Sequence, residues 1–184
     1  MPDSDHGTPY PADDAGGVDD WSRAVFEACR EWPLAASGRW FRTESGWLLL
    51  RIEAVDGEPL EPLLAVELDT ADGQINLDLG SWYTPVCVPG SGLRLAAAQA
   101  TAEARALIEG WFRSEVKLAS YSDDSGWRGS KIIRGGKLPA AIEPVPVGVG
   151  AGGRVAVKSW RRRDWSWWRQ AGDGNWVPGE PAGD

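Results

Sequence analysis

Two alternating apolar segments joined by the dipeptide Asp72-Gly73 are the feature that most restricts how this chain can fold. Asp-Gly is a favoured two-residue hairpin turn, because a type I′ turn requires a positive φ angle at both central positions. The turn sets the register and brings the apolar residues of both strands to one side. The pairs predicted on that side are Leu68 with Leu77 and Val66 with Leu79. The sequence thus predicts an antiparallel hairpin formed by residues 63–69 and 74–80.

The opposite side of this hairpin is acidic. The same register places Glu67 against Asp78 and Asp69 against Asn76. Like charges that face each other across two strands are destabilising, so a cation is expected near Glu67 and Asp78. Arg51, on the polar side of a neighbouring predicted strand, is one source of that cation.

The sequence allows three interpretations of this acidic side. The first is a solvated sheet face that Arg51 neutralises. The second is a docking surface for a basic protein partner, because complementary charge accelerates association. The third is a divalent-metal site formed by Glu67, Asp69 and Asp78, since hard cations bind clustered carboxylates. The second is our leading hypothesis, and it assigns the chain neither a metal nor a cofactor.

The remaining periodicities predict two helices and further antiparallel strands. One helix begins at Asp19 or Asp20, either of which can cap it, and ends before Pro33. A longer helix is predicted over residues 92–113, with Ser91 as its N-cap. The other predicted strands cover residues 39–42, 47–55, 115–122, 126–134 and 154–161. This order indicates an α+β fold, an antiparallel sheet of five to seven strands with two helices packed on one face.

The two ends of the chain set the expected domain boundaries. Residues 1–20 contain six Asp and no Lys or Arg, and residues 1–18 are expected to form an acidic disordered tail. A single α+β domain is expected over residues 19–161, with a Pro- and Gly-rich linker at residues 138–153. Residues 162–184 form a tail rich in Trp and Arg.

Charge and composition argue against several function classes. The 184 residues include 27 acidic and 19 basic side chains, a formal net charge of −8, which disfavours a whole-chain nucleic-acid binder. The single His, at position 6, excludes His-centred metal sites and ordinary Ser-His-Asp or Cys-His catalysis. The N-terminal segment lacks the basic and apolar stretches of a secretory signal, so a cytoplasmic location is expected. Cys29 and Cys87 are then expected to be reduced, Cys29 on the buried side of the first helix.

The segment between the central hairpin and the long helix carries two large aromatic residues. Trp82 and Tyr83 lie in the Pro-containing residues 80–92, which are predicted to form a loop. Aromatic side chains in such a loop either anchor a partner or cover the end of the core, and both alternatives stand. The predicted partner-binding residues are Glu67, Asp69, Asp78, Trp82 and Tyr83.

The C-terminal tail places Arg beside Trp. Such a segment can grip phosphates and stack on bases, lie at an anionic membrane surface, or hold a glycan or another ligand. The same arginines can instead pair with the chain's own carboxylates while the rings pack on the sheet. The residues considered for anion or aromatic contact are Trp160, Arg161, Arg162, Arg163, Trp165 and Trp168. Nucleic-acid or membrane contact through the tail is therefore an alternative function.

An enzymatic alternative rests on carboxylates. Glu115-Val116-Lys117 matches the Glu-x-Lys strand motif of metal-dependent nucleases, which also need an acidic residue from a neighbouring strand. Asp78 is the nearest candidate, but the whole long helix separates it from the motif. A metal-dependent hydrolase that uses these carboxylates with Lys117 therefore ranks below binding, and no catalytic residue is assigned.

Four features of the sequence give the chain a resemblance to a group of small bacterial proteins. They are the segment LDLGSWYTP at residues 77–85, the long helix after it, the motif Trp127-x-Gly129-Ser130 and the dipeptide Ser159-Trp160. The first of them ends the central strand hairpin, so the resemblance covers residues 63–160; it is to the immunity proteins of polymorphic toxin systems. The resemblance implies a single α+β domain that acts by binding. In such proteins we expect a histidine after the loop tryptophan, where this chain has Tyr83. The leading expectation is thus a non-enzymatic, immunity-like protein that holds a basic partner on an acidic, aromatic-rimmed face.

Overall fold

A computed structural model describes most of the chain. The described residues are 8–10, 17–60, 65–79, 82–86, 92–135, 138, 140–142, 149, 152–160, 162–173 and 175–180, without the side chains of 141 and 162–165. The described chain divides into two compact units, Met1–Ile108 and Glu109–Asp184. The boundary falls within a helix, inside the region 19–161 that the sequence predicts as one domain.

The described residues include three α-helices. They are α1 (Asp20–Cys29), α2 (Pro33–Ser37) and α3 (Leu93–Phe112). Asp19 caps α1 as predicted, because its Oδ1 accepts a hydrogen bond from the Ser22 backbone N at 2.8 Å. Pro33 follows α1 as predicted and also starts α2, since the fixed φ angle of proline suits the first turn of a helix. Ser91, the predicted cap of α3, lies outside the described residues.

The strands of the first unit form an antiparallel sheet of six strands. They are β1 (Thr8–Pro9), β2 (Arg39–Arg42), β3 (Leu48–Ile52), β6 (Val66–Asp69), β7 (Ile75–Leu79) and β8 (Tyr83–Val86). The spatial order is β1-β2-β3-β6-β7-β8. Two short strands, β4 (Ala54–Val55) and β5 (Glu58–Pro59), pair with each other between β3 and β6 in the chain.

The central hairpin is confirmed. Strands β6 and β7 pair in the predicted register, on both the apolar and the acidic side. Asp72 and Gly73 have φ angles of 57° and 70°, the positive values that a type I′ turn requires. The turn is closed by a hydrogen bond from the Gln74 backbone N to the Ala71 carbonyl at 3.2 Å.

The apolar side of the six-stranded sheet forms the core of the first unit. Its fully buried residues include Leu48, Leu50, Val66, Leu68, Ile75, Leu77 and Leu79. Helix α1 packs on this side through Phe26, which clusters with Leu48 and Trp40. The Phe26 and Trp40 rings meet edge to face, with their centroids 5.0 Å apart.

Two segments differ from what the sequence predicts. Within the residues 1–18 that were expected to be disordered, β1 pairs with β2, and Tyr10 is buried because its ring packs edge-on against Phe26 at 5.3 Å. Residues 1–7 and 11–16 lie outside the described residues. Residues 83–86, predicted as loop, form β8, because Tyr, Thr and Val favour extended backbone and Pro is tolerated in an edge strand.

The second unit contains an antiparallel sheet of five strands. They are β9 (Val116–Asp123), β10 (Gly126–Arg134), β11 (Arg154–Ser159), β12 (Arg162–Gln170) and β13 (Trp176–Pro178), in the spatial order β10-β9-β11-β12-β13. The hairpin β9–β10 and the strand β11 agree with the prediction. The C-terminal tail, for which the sequence showed no clear period, supplies β12 and β13.

One side of the five-stranded sheet forms a separate apolar core. Its buried residues are Ala119, Tyr121, Ile133, Ile142, Val155, Val157 and Trp176. The hydroxyl of Tyr121 donates a hydrogen bond to the Ile142 carbonyl at 2.6 Å, which ties a segment between β10 and β11 to this core. The α+β class is therefore confirmed, with the antiparallel strands divided between sheets of six and five.

Candidate functional site

The acidic side of the central hairpin belongs to the second side of the six-stranded sheet. Glu67 lies opposite Asp78 on one neighbouring strand and opposite Arg51 on the other. The Arg51 Nε lies 3.4 Å from Glu67 Oε1 and 3.4 Å from Glu53 Oε1. Arg51 is thus the cation that the like-charged pair required, and it holds Glu67 in a small ion network.

Asp69 stabilises the hairpin turn. Its Oδ1 accepts hydrogen bonds from the Ala71 backbone N at 3.0 Å and from Asn76 Nδ2 at 2.8 Å. Asn76 is buried, and its Oδ1 accepts a bond from Gln74 Nε2 at 3.0 Å. The described residues include no group of three or more His, Cys, Asp or Glu side chains arranged to hold a metal ion.

Tyr83 lies on β8, which is an edge strand of the six-stranded sheet. It pairs with Asp78 across the strands, and 58% of its surface is exposed. Desolvation, followed by the charges of Asp69 and Asp72, raises the pKa of Tyr83 above its ordinary value. We refer to Asp69, Asp72, Asp78 and Tyr83 as the acidic edge patch.

The structure brings together three of the five predicted partner-binding residues and adds one. Asp69, Asp78 and Tyr83 belong to the acidic edge patch, whereas Glu67 is engaged by Arg51. Trp82 is half-buried, and its carbonyl accepts a hydrogen bond from the Leu79 backbone N at 2.9 Å. Asp72 was not predicted as a site residue, because the Asp72-Gly73 pattern indicates only a turn.

The aromatic residues of the C-terminal segment have different environments. Trp160 meets Phe112 edge to face, with the ring centroids 4.9 Å apart. Trp168 packs on the core of the second unit. These two contacts agree with the alternative in which the aromatic rings of the tail pack on the chain itself. Arg161 lies outside the described residues, and Arg162, Arg163 and Trp165 lie on β12 without described side chains.

The Glu-x-Lys motif lies at the start of β9 in the second unit. Glu115 precedes the strand, and its Oε2 accepts a bond from Arg113 Nε at 3.0 Å. Lys117 is half-buried on the strand itself. Asp78, the acidic partner that the nuclease interpretation required, belongs to the first unit.

Charge is distributed unevenly along the chain. Residues 1–108, the first unit, carry 18 acidic and 7 basic side chains. Residues 109–184, the second unit, carry 9 acidic and 12 basic side chains. The acidic edge patch therefore lies in a strongly negative unit, and the second unit is mildly positive.

Two concavities of the first unit are lined by its helices. A cleft of about 260 Å³ is lined by Tyr10, Phe26, Cys29 and Trp40, among others. Burial raises the pKa of the Cys29 thiol to about 12, against a smaller lowering by Thr101, so the thiol is protonated at neutral pH. A wider groove of about 750 Å³ lies between α1 and the start of α3.

Comparison with protein-family models, with curated proteins and with solved structures finds no match for this chain. Within the described ranges, no helix combines the length and the apolar character needed to span a membrane.

Proposed function

We propose that this chain is a binding protein, without catalytic activity, that takes up a basic protein partner on the acidic edge patch. The observation that carries the proposal is the position of Tyr83. Its exposed ring lies opposite Asp78, and its pKa is raised in part by the charges of Asp69 and Asp72. A large exposed ring beside carboxylates is a suitable contact for Arg and Lys side chains, through cation–π and ionic interactions.

The charge of the surrounding unit favours the same kind of partner. An excess of acidic side chains over residues 1–108 creates a negative potential that attracts a basic protein before contact. Such steering raises the association rate and is screened by salt. Arg51 sets the inner limit of the patch, because it already neutralises Glu67.

The resemblance to immunity proteins suggests which partner to test first. Proteins of that type bind a toxin, so the proposed partner is a basic toxin that is met in the cytoplasm. A toxin encoded beside this chain would be the first candidate to assay, and its binding and neutralisation would be measured together.

The test is affinity capture from an extract of the source cells, with the full chain immobilised. The informative variant is Asp72→Asn combined with Tyr83→Ala, which removes one charge and the ring at exposed positions. The matched control is Asp56→Asn. Asp56 is also exposed, precedes a Gly in a turn and has a φ angle of 54°, against 57° for Asp72.

The expected result is a basic protein that the wild-type chain and the Asp56→Asn variant retain and the Asp72→Asn/Tyr83→Ala variant loses. Its association rate should fall as salt rises, because the contact is ionic. Equal recovery of the same partner by all three forms would contradict the proposal, as would capture that is insensitive to salt.

A further inference from the structure

The second unit presents a sheet face with a different character. One side of the five-stranded sheet packs on the apolar core described above. Residues that lie directly opposite each other on neighbouring strands point to the same side, so the cross-strand pairs also define rows of residues on the second side. One row on that side runs across the full sheet, from Trp127 on β10 through Ser122, Arg154 and Arg169 to Val177 on β13. The next row is Ser130, Ser120, Ala156 and Trp167. We refer to these two rows as the Trp–Arg face.

Two indole rings lie on either side of small residues on this face. Trp127 is 70% exposed, and its Nε1 donates a hydrogen bond to the Ser130 hydroxyl at 3.3 Å. Trp167 is half-buried on β12, in the second row and three strand spacings from Trp127, which is roughly 14 Å measured across the strands. The intervening positions carry short side chains, of which Ser120 and Ser122 are half-buried and Ala156 is buried.

Two guanidinium groups face each other within the first row. Arg154 and Arg169 are directly opposite on β11 and β12. Like charges in this arrangement destabilise a sheet unless an anion lies nearby. Asp124 offsets one of the two charges, since its Oδ1 lies 2.9 Å from Arg154 Nη2, whereas Arg169 is exposed. The pair thus leaves a positive charge beside the row of small residues.

We propose that the Trp–Arg face binds single-stranded nucleic acid. Bases would stack on Trp127 and Trp167, and phosphates would lie against Arg154 and Arg169. A sheet face that carries separated rings and cations suits this ligand, because every base has a planar face and every nucleotide a negative charge. Only the part of this side around Trp127, Arg154 and Arg169 is available to it, because Val116 and Leu118 on the same side are buried. The net positive charge of residues 109–184 is complementary to a polyanion.

An acidic protein is the competing occupant of this face. The positive charge of the face would fit an acidic protein equally well, but an acidic protein does not account for the exposed Trp127 ring and the half-buried Trp167 ring. The proposal goes beyond the protein partner proposed above, and it rests on the second unit only.

The test is fluorescence anisotropy of a labelled oligothymidylate of about 15 nucleotides, within the range of known site sizes, titrated with the full chain. Trp127→Ala should weaken binding roughly ten-fold, the effect expected for the loss of one stacked base. Arg169→Ala should weaken binding and reduce the slope of log K against log salt by about 0.7, as for one phosphate contact on a single strand. Both residues are exposed, so both variants are expected to fold.

Matched controls separate this proposal from the proposed function. Arg113→Ala removes an exposed Arg from the same unit, and Tyr83→Ala removes an exposed ring from the other. Both should bind the oligonucleotide like the wild-type chain, and Trp127→Ala should still capture the basic partner. The proposal is overturned by an absence of binding at low salt, by equal losses in Trp127→Ala and Tyr83→Ala, or by polyglutamate competing as well as unlabelled oligothymidylate.

Discussion

The buried hydroxyl groups of Ser22 and Thr70 lie 2.5 Å apart and join helix α1 to the end of strand β6. Either hydroxyl can donate across this contact, because Ser22 Oγ also reaches Asp19 Oδ2 at 2.7 Å and Thr70 Oγ1 also reaches the Leu48 carbonyl at 3.2 Å. Thr70 Oγ1 also accepts a hydrogen bond from the Leu48 backbone N at 2.9 Å. A chain of polar contacts therefore runs from the cap of α1 into the sheet, and it orients the helix on the apolar side.

We expect Thr70→Val to reduce the free energy of unfolding by about 1–3 kcal/mol, because it leaves the buried Leu48 N–H without its acceptor. Ser22→Ala should cost about 0.5–1.5 kcal/mol, since Thr70 keeps its other contacts. Chemical denaturation of both variants and of the double variant measures the coupling between the two hydroxyls. Strictly additive losses would show that the two hydroxyls do not interact.

We expect Asp72→Asn to lower the pKa of Tyr83 toward its ordinary value. The charge of Asp72 disfavours the tyrosinate, so its removal makes ionisation easier. Spectrophotometric titration, with a Tyr83→Phe variant to subtract the other tyrosines, measures the change. Asp56→Asn is the control and should leave the pKa of Tyr83 unchanged. An identical pKa in Asp72→Asn would show that Asp72 does not act on the ring.

Cys29 should resist alkylation in the folded protein, in a Cys87→Ser background. Burial raises the pKa of its thiol from 9.0 to about 12, so the reactive thiolate is scarce. The raised pKa also stabilises the fold below pH 9, and this contribution is lost as the pH rises from 9 to about 12. A Cys29→Ala variant should therefore lose less stability across that interval. Rapid labelling at neutral pH without denaturant would contradict the buried position.

Gly110→Ala should destabilise the second unit, although alanine is the better helix former. A Cβ at position 110 would lie 2.7 Å from Val116 Cγ2, and Val116 is buried. Overpacking of this kind costs about 1–3 kcal/mol, against a propensity gain of about 1 kcal/mol. The midpoint of thermal unfolding measures the balance. Gly172→Ala, where the same atom meets nothing within 4 Å, is the control.

The sequence predicted the central hairpin because its determinants are local. Asp72 and Gly73 adopt the positive φ angles that fix the turn, and the alternation of the strands then fixes the register. The acidic side and its need for a cation followed from that register, and Arg51 was named from the same pattern. Helix α1 was predicted on similar grounds, from its cap and the proline after it.

The rest of the candidate surface depends on contacts that local patterns do not encode. Strand β8 was predicted as a loop because Pro85 discourages strand structure, yet pairing with β7 holds it extended. Strand β12 has Trp167 on one side and Trp168 on the other, so its hydrophobic pattern shows no alternation. The opposition of Arg154 and Arg169 required the β11–β12 register, which no turn signal fixed in advance.

The proline in β8 affects how readily two molecules can associate through this edge of the sheet at high protein concentration. Pro85 has no backbone N–H, so β8 lacks one hydrogen-bond donor that a strand of another molecule would need in order to pair with it. The carboxylates beside Tyr83 add mutual repulsion between two such margins from different molecules. Edge-to-edge polymerisation of this sheet through β8 is thereby disfavoured, while the Tyr83 ring stays available to a positively charged partner.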